Sequence, residues 1–210
     1  MSKRLFIVVF LFMMGCTSLK AQVLYGLRMA GGFAYQQVKS STVRTTGGSV
    51  KTFNIYGFAQ IPLRDEVWLS AGLGIANKGS VVYDDALTTT THLTYFEMPV
   101  SLLKKFTFGN TGIFFVGAGG YLAMGWKGTL DYETPGSYTS DIIKYGKDND
   151  VKKFDTGLYF STGFELRNRL LFNVGYSLGL NNIASLSQQD SGTSVVKNRI
   201  ISVGLGYLIK

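Results

Sequence analysis

Cysteine is all but missing from this chain. Cys16 is the only one, so no internal disulfide can hold a fold together. Charge is scarce too, at 16% of 210 residues against 46% apolar, which excludes a disordered chain and leaves enough apolar surface for one domain with a sizeable interior. Proline occurs three times and histidine once. Long apolar runs are also lacking: residues 5–14 form the longest, about half of the roughly 20 residues that a helical membrane span needs. What the chain has in quantity is glycine, 26 residues, and aromatics, with 15 Phe, 12 Tyr and 2 Trp. That balance points away from a helical bundle and toward β structure.

Residues 1–21 read as an export signal. Lys3 and Arg4 give a positive start, residues 5–14 an apolar core, and the stretch that follows is more polar. Cleavage after Ala21 leaves residues 22–210 as the mature domain. The alternative is lipidation of Cys16, because Met14-Gly15-Cys16 is a degenerate lipobox. Loss of the leader removes Lys3, Arg4 and Lys20 from the 21 basic residues, so 18 face 13 acidic ones. Export argues against nucleic acid as a partner, which the basic balance alone would have allowed.

After residue 22 the dominant signal is a period of two. Tyr25, Leu27, Met29, Phe33 and Tyr35 share one face, with Gly26, Arg28, Ala30 and Gln36 opposite. The same alternation recurs seven more times, for example Leu69, Leu73 and Ile75 against Ser70, Gly72 and Gly74, or Ile201, Val203, Leu205, Tyr207 and Ile209 against Ser202, Gly204 and Gly206. Eight strands result. Short connections (62–66, 105–111, 167–169) alternate with long ones (38–50, 79–91, 125–153, 182–196), as in an outer-membrane barrel with periplasmic turns and extracellular loops. The expected fold is therefore all-β, an eight-stranded antiparallel up-and-down transmembrane β-barrel.

A soluble barrel of this size would clothe its outside in Lys, Glu, Asp and Thr. Here the second face is mostly Gly, Ser, Ala and Asn, which suits a narrow bore and leaves the apolar face to lipid. Of the mature basic residues only Arg28 falls well inside a strand, while Glu97, Asp155 and Glu165 take lumen positions. Lone buried charges are costly, so a structural ion pair between Arg28 and Glu97 is expected, with Glu165 as the rival partner. Tyr35, Tyr95 and Trp126 at one boundary, and Trp68 and Tyr207 at the other, are expected as interfacial girdles.

Chemistry-bearing candidates are few. His92 near the long-loop end invites comparison with outer-membrane lipid A enzymes, but it has no evident acid or activated nucleophile, with Thr94 the only hydroxyl in phase. The Gly117-Ala118-Gly119-Gly120 run lies within a strand and is no phosphate cradle. No catalytic residue, metal site or cofactor is assigned. The charged run 144–153 reads as a solvated loop, with contact to lipopolysaccharide phosphates or a partner as the functional alternative.

Tyr95-Phe96-Glu97-Met98-Pro99 resembles the aromatic-Leu-Glu-Ile-Pro signature of the PorT-like outer-membrane β-barrel proteins of Bacteroidetes. Phe154-Asp155-Thr156-Gly157-Leu158 and Lys197-Asn198-Arg199 are similar to that family as well. Ser202, Gly204, Tyr207 and Ile209 resemble the C-terminal signal read during barrel insertion, with Lys210 standing where an aromatic terminus is usual. The resemblance implies a barrel in the outer membrane of a Gram-negative bacterium, in contact with lipid, lipopolysaccharide and the barrel-assembly machinery. It implies no activity. One branch is linked to secretion, so a non-enzymatic barrel displaying its loops, as an accessory of an envelope or secretion assembly, is the expectation. A lipid A-modifying enzyme using His92 and a narrow passive pore are the alternatives.

Overall fold

The computed structural model describes residues 23–40, 44–84, 87–146, 149–184 and 193–209. The expected leader and Cys16 lie outside them. Ten strands are present: β1 (Leu24–Ser40), β2 (Arg44–Thr46), β3 (Val50–Arg64), β4 (Val67–Asp84), β5 (Leu87–Phe108), β6 (Gly112–Thr134), β7 (Ser137–Ile142), β8 (Phe154–Leu166), β9 (Leu170–Gly179) and β10 (Thr193–Ile209). Eight of them form a ring in the order β10-β9-β8-β6-β5-β4-β3-β1, closed by antiparallel pairing of β1 with β10 from Tyr25–Ile209 to Ser40–Thr193. The short β2 and β7 lie outside the ring and pair with β1 and β6. No helix occurs among the described residues.

The alternation in sequence becomes an alternation in exposure. Along β5 the pattern reverses at every residue from Leu93 to Phe106, with Phe96, Met98, Val100 and Leu102 outside and Glu97, Ser101 and Leu103 inside. Exposed Leu, Phe, Val and Met encircle the ring, a surface that only lipid can cover. On β6 this belt runs from Phe114 to Trp126, which at about 3.3 Å per residue and a strand tilt near 40° is about 30 Å along the axis. That height matches the apolar band of an outer-membrane barrel, about 25 Å.

Turns at one end are tight, and each carries a residue in the left-handed region: Asp65 (φ 38°), Gly109 (φ 52°) and Arg169 (φ 72°). The other end departs from expectation. Residues 79–91 are not a loop, because β4 continues to Asp84 and β5 starts at Leu87. In 125–153, β6 runs on to Thr134 and turns back as β7. The reason is the threonine run at 88–91 and the Thr129-Leu130-Asp131-Tyr132 stretch, which are polar on both faces and yet rich in β-branched and aromatic residues that favour extended backbone. The extensions of β4, β5 and β6 together with β7 rise as a wall on one side of the ring.

Candidate functional site

The bore is filled by two ion networks. In the upper one, Lys78 Nζ lies 2.7 Å from Glu97 Oε2 and 3.0 Å from Asp155 Oδ2, with all three side chains buried. Tyr56 donates its hydroxyl hydrogen to Glu97 (2.8 Å) and Asn198 donates Nδ2–H to Asp155 (3.0 Å). Gln36 continues the chain to Asn198 (3.0 Å), and Ser80 donates to Gln36 (2.8 Å), so the network crosses from β3 to β10. The lysine also sits 4.0 Å from the centre of the Tyr121 ring. The lower network joins Lys105 Nζ to Glu165 at 2.7 Å and to Gln60 at 2.6 Å, with Trp68 against the ammonium at 4.2 Å.

Several assignments change. Glu97 pairs with Lys78 and not with Arg28, and Glu165 pairs with Lys105. Arg28 instead faces the rings of Tyr56 (5.0 Å), Tyr159 (5.6 Å) and Phe58 (5.9 Å), between the two networks. Among the described residues Arg28 is thus one of three bore cations, since Lys78, just before a long connection, and Lys105, at the start of a short one, continue the inward phase of β4 and β5. Trp68 and Tyr95 are lumen residues rather than girdle aromatics: Tyr95 is fully buried, and Trp68 packs on Leu103, Phe115 and Leu171. Tyr35, Trp126 and Tyr207 do lie on the outer surface, with Trp126 stacked on Phe96 at 4.9 Å. Ser202 and Gly204 face inward, Tyr207 and Ile209 outward.

In the run 144–153 the described charged residues Lys144, Asp150 and Lys153 are exposed, but apolar residues within and beside it turn inward. Ile143, Val151 and Ile183 are buried on Leu93, Tyr95, Tyr121 and Tyr159, and the Tyr145 ring meets Tyr95 edge-on at 5.7 Å, so this segment caps the bore. Burial raises the Tyr145 phenol above its ordinary value, which keeps its hydrogen in place as a donor to the Lys127 carbonyl (3.1 Å). Gly125 makes room for that ring, since a Cβ there would stand 2.3 Å from Tyr145 Cε1. Beside the cap lies an open cavity of about 570 Å³, lined by Gln36 and Ser80 of the upper network and by Leu130, Tyr132, Ile143 and Val196. By contrast, the space beside Arg28, Gln60 and Tyr159 in the middle of the bore is about 20 Å³.

His92 stands on the outer face of the wall, half exposed, with Nε2 3.7 Å from Asp131 Oδ2. An acid is therefore present where the sequence showed none. Ser140 donates to the other oxygen of the same carboxylate. This places the carboxylate between imidazole and hydroxyl, whereas nucleophile activation needs the imidazole against the hydroxyl. Thr94 donates to Asn77 (3.2 Å) rather than to His92. Among the described residues no group of His, Cys, Asp and Glu could hold a metal ion.

A closed ring of eight antiparallel strands with an apolar outside and an ionic inside agrees with a match in sequence. Residues 21–185 match the family described as outer membrane protein beta-barrel domain. The chain belongs to that family. As a member of the outer-membrane β-barrel family it resides in the outer membrane. Among solved structures it is similar to Neisserial surface protein A, at 14% identity and a TM-score of 0.46 over 87% of this chain and 96% of that one. It is also similar to Ail, the attachment invasion locus protein of Yersinia pestis, in complex with the heparin analogue sucrose octasulfate (12% identity, TM-score 0.39, 88% and 99% covered). A third is the N-terminal β-barrel domain of Pseudomonas aeruginosa OprF (10%, 0.35, 90% and 100%). No curated protein matches the chain.

Proposed function

We propose that this outer-membrane barrel is a non-enzymatic display module, whose long-loop end faces outside and presents the β4–β7 wall and the mouth beside it to a partner. One observation carries the reading: the bore is blocked by two ion networks and a cap, while β5 and β6 run 22 and 23 residues, about twice what a tilted strand needs to cross the bilayer. The material invested beyond the membrane is ordered sheet, with Tyr138 and Ile142 exposed on β7. The motif at Tyr95–Pro99 supports a place among the PorT-like proteins of Bacteroidetes, and with it an accessory role in an envelope or secretion assembly. On the same reading residues 1–21 are removed on export, and the barrel-assembly machinery inserts residues 22–210 among lipopolysaccharide.

A photo-reactive residue at Tyr138 or Ile142, activated on intact cells, should give a discrete protein adduct that the same probe at lipid-facing Leu73 does not give. Identical adduct patterns at wall and lipid positions would remove the reading. Planar bilayers holding the purified protein should show no conductance steps; steady channels would replace display with passive transport.

A further inference from the structure

The ring is charged unevenly. Four successive strands, β9, β10, β1 and β3, contain no Asp or Glu. On their outward face at the long-loop end stand Lys51, Arg199, Lys197 and Lys39. Register fixes their height: Phe33 lies opposite Lys51 on one side and Ile201 on the other, the next outward row pairs Tyr35 with Arg199, and the next pairs Gln37 with Lys197. Phe33 and Ile201 belong to the exposed apolar belt. The four cations therefore begin where the belt ends. With strands about 4.8 Å apart and outward residues about 6.7 Å apart along a strand, they fall within an area of roughly 10 by 20 Å.

Arg199 is held in place without being neutralised. Its Nη1 donates to the Tyr176 hydroxyl (3.1 Å) and its Nη2 to Gln37 Oε1 (2.8 Å), while its buried Nε has no hydrogen-bond partner among the described residues. The ion pairs among the described residues involve none of these four cations. Like charges packed this closely repel unless the surroundings supply anions, and at a membrane boundary the anions are lipid phosphates.

We propose that the Lys39, Lys51, Lys197 and Arg199 patch binds the diphosphorylated sugar headgroup of lipid A. The choice of lipid A over a phospholipid follows from two features: the patch lies at the long-loop end, which in an outer-membrane barrel is the external leaflet, and its cations span four outward rows, more than one phosphodiester can meet. The proposal rests on the orientation assumed for display, but not on any partner of the wall. It also moves the phosphate contact away from residues 144–153, whose apolar members turn into the bore.

The test uses the purified full-length barrel in uncharged detergent, with its thermal unfolding followed by gel mobility. Diphosphoryl lipid A should raise the unfolding temperature, monophosphoryl lipid A less, and phosphatidylglycerol least. Lys51→Gln and Lys197→Gln, which leave the hydrogen bonds of Arg199 untouched, should each weaken the lipid A effect about fivefold in half-saturating concentration. Lys104→Gln at the opposite end should leave it unchanged. Equal stabilisation by phosphatidylglycerol, or an undiminished response in the double variant, would overturn the proposal. Because detergent removes sidedness, failure here is separate from failure of the display reading, which the cell-surface adducts test.

Discussion

Among the described residues, charge balance inside the bore is set by six. Lys78, Lys105 and Arg28 face Glu97, Asp155 and Glu165, so the bore is neutral as a whole although its upper network holds two carboxylates to one ammonium. Arg28, stacked on Tyr56 whose hydroxyl bonds Glu97, supplies the remaining positive charge at one remove. Lys78→Met should therefore be more damaging than Arg28→Met. It leaves two buried carboxylates without a direct cation, at a cost of about 3–5 kcal/mol, whereas the arginine loses cation–π contacts of about 1 kcal/mol each. Urea midpoints of the two variants in detergent check the order, and adding Glu97→Gln to Lys78→Met should recover part of the loss. Equal midpoints would mean the ammonium is not the hub of the network.

At the scale of strands, the outward and inward phases make opposite demands. Leu73 is 66% exposed on the lipid face of β4, so Leu73→Arg should cost about 2–4 kcal/mol and slow insertion into vesicles. Ser70 borders the bore beside Arg28, so Ser70→Arg tests packing and like-charge repulsion instead. Gly125→Val should push Tyr145 off Tyr95 and open the cap, raising protease cleavage within 143–153 while the barrel stays folded. Unchanged cleavage would show that the cap is held from elsewhere.

The strands themselves were legible because lipid outside and a narrow bore inside leave opposite marks on alternate residues. The wall was not, since Thr88 to Thr91 meet water on both faces and show no alternation. Lys78 and Lys105 were missed for a related reason: Asn77-Lys78-Gly79-Ser80 and Lys104-Lys105 look like turns by residue type. Counting by two from Ala76 and from Leu103 puts both lysines in the bore. The same count from Glu97 places Tyr95 inside, where its aromatic type had suggested the membrane boundary.

For the whole molecule, a ring closed by hydrogen bonds on every strand should keep its shape in detergent until heated. The protein should fractionate with the outer membrane and migrate faster on gels before boiling than after, because the ring of eight strands has no free edge from which to unravel. A single mobility at both temperatures would contradict closure. The seam that closes the ring joins β1 to β10, the first and last strands among the described residues. Those hydrogen bonds cannot exist until the last strand is present, and the loop they close spans nearly the entire domain. Folding is therefore bound to a high contact order and a late, slow closing step, during which β1 and β9 expose long unpaired edges. Removing β10 should abolish the folded state rather than yield a smaller barrel, leaving a chain whose open strands pair with those of its neighbours.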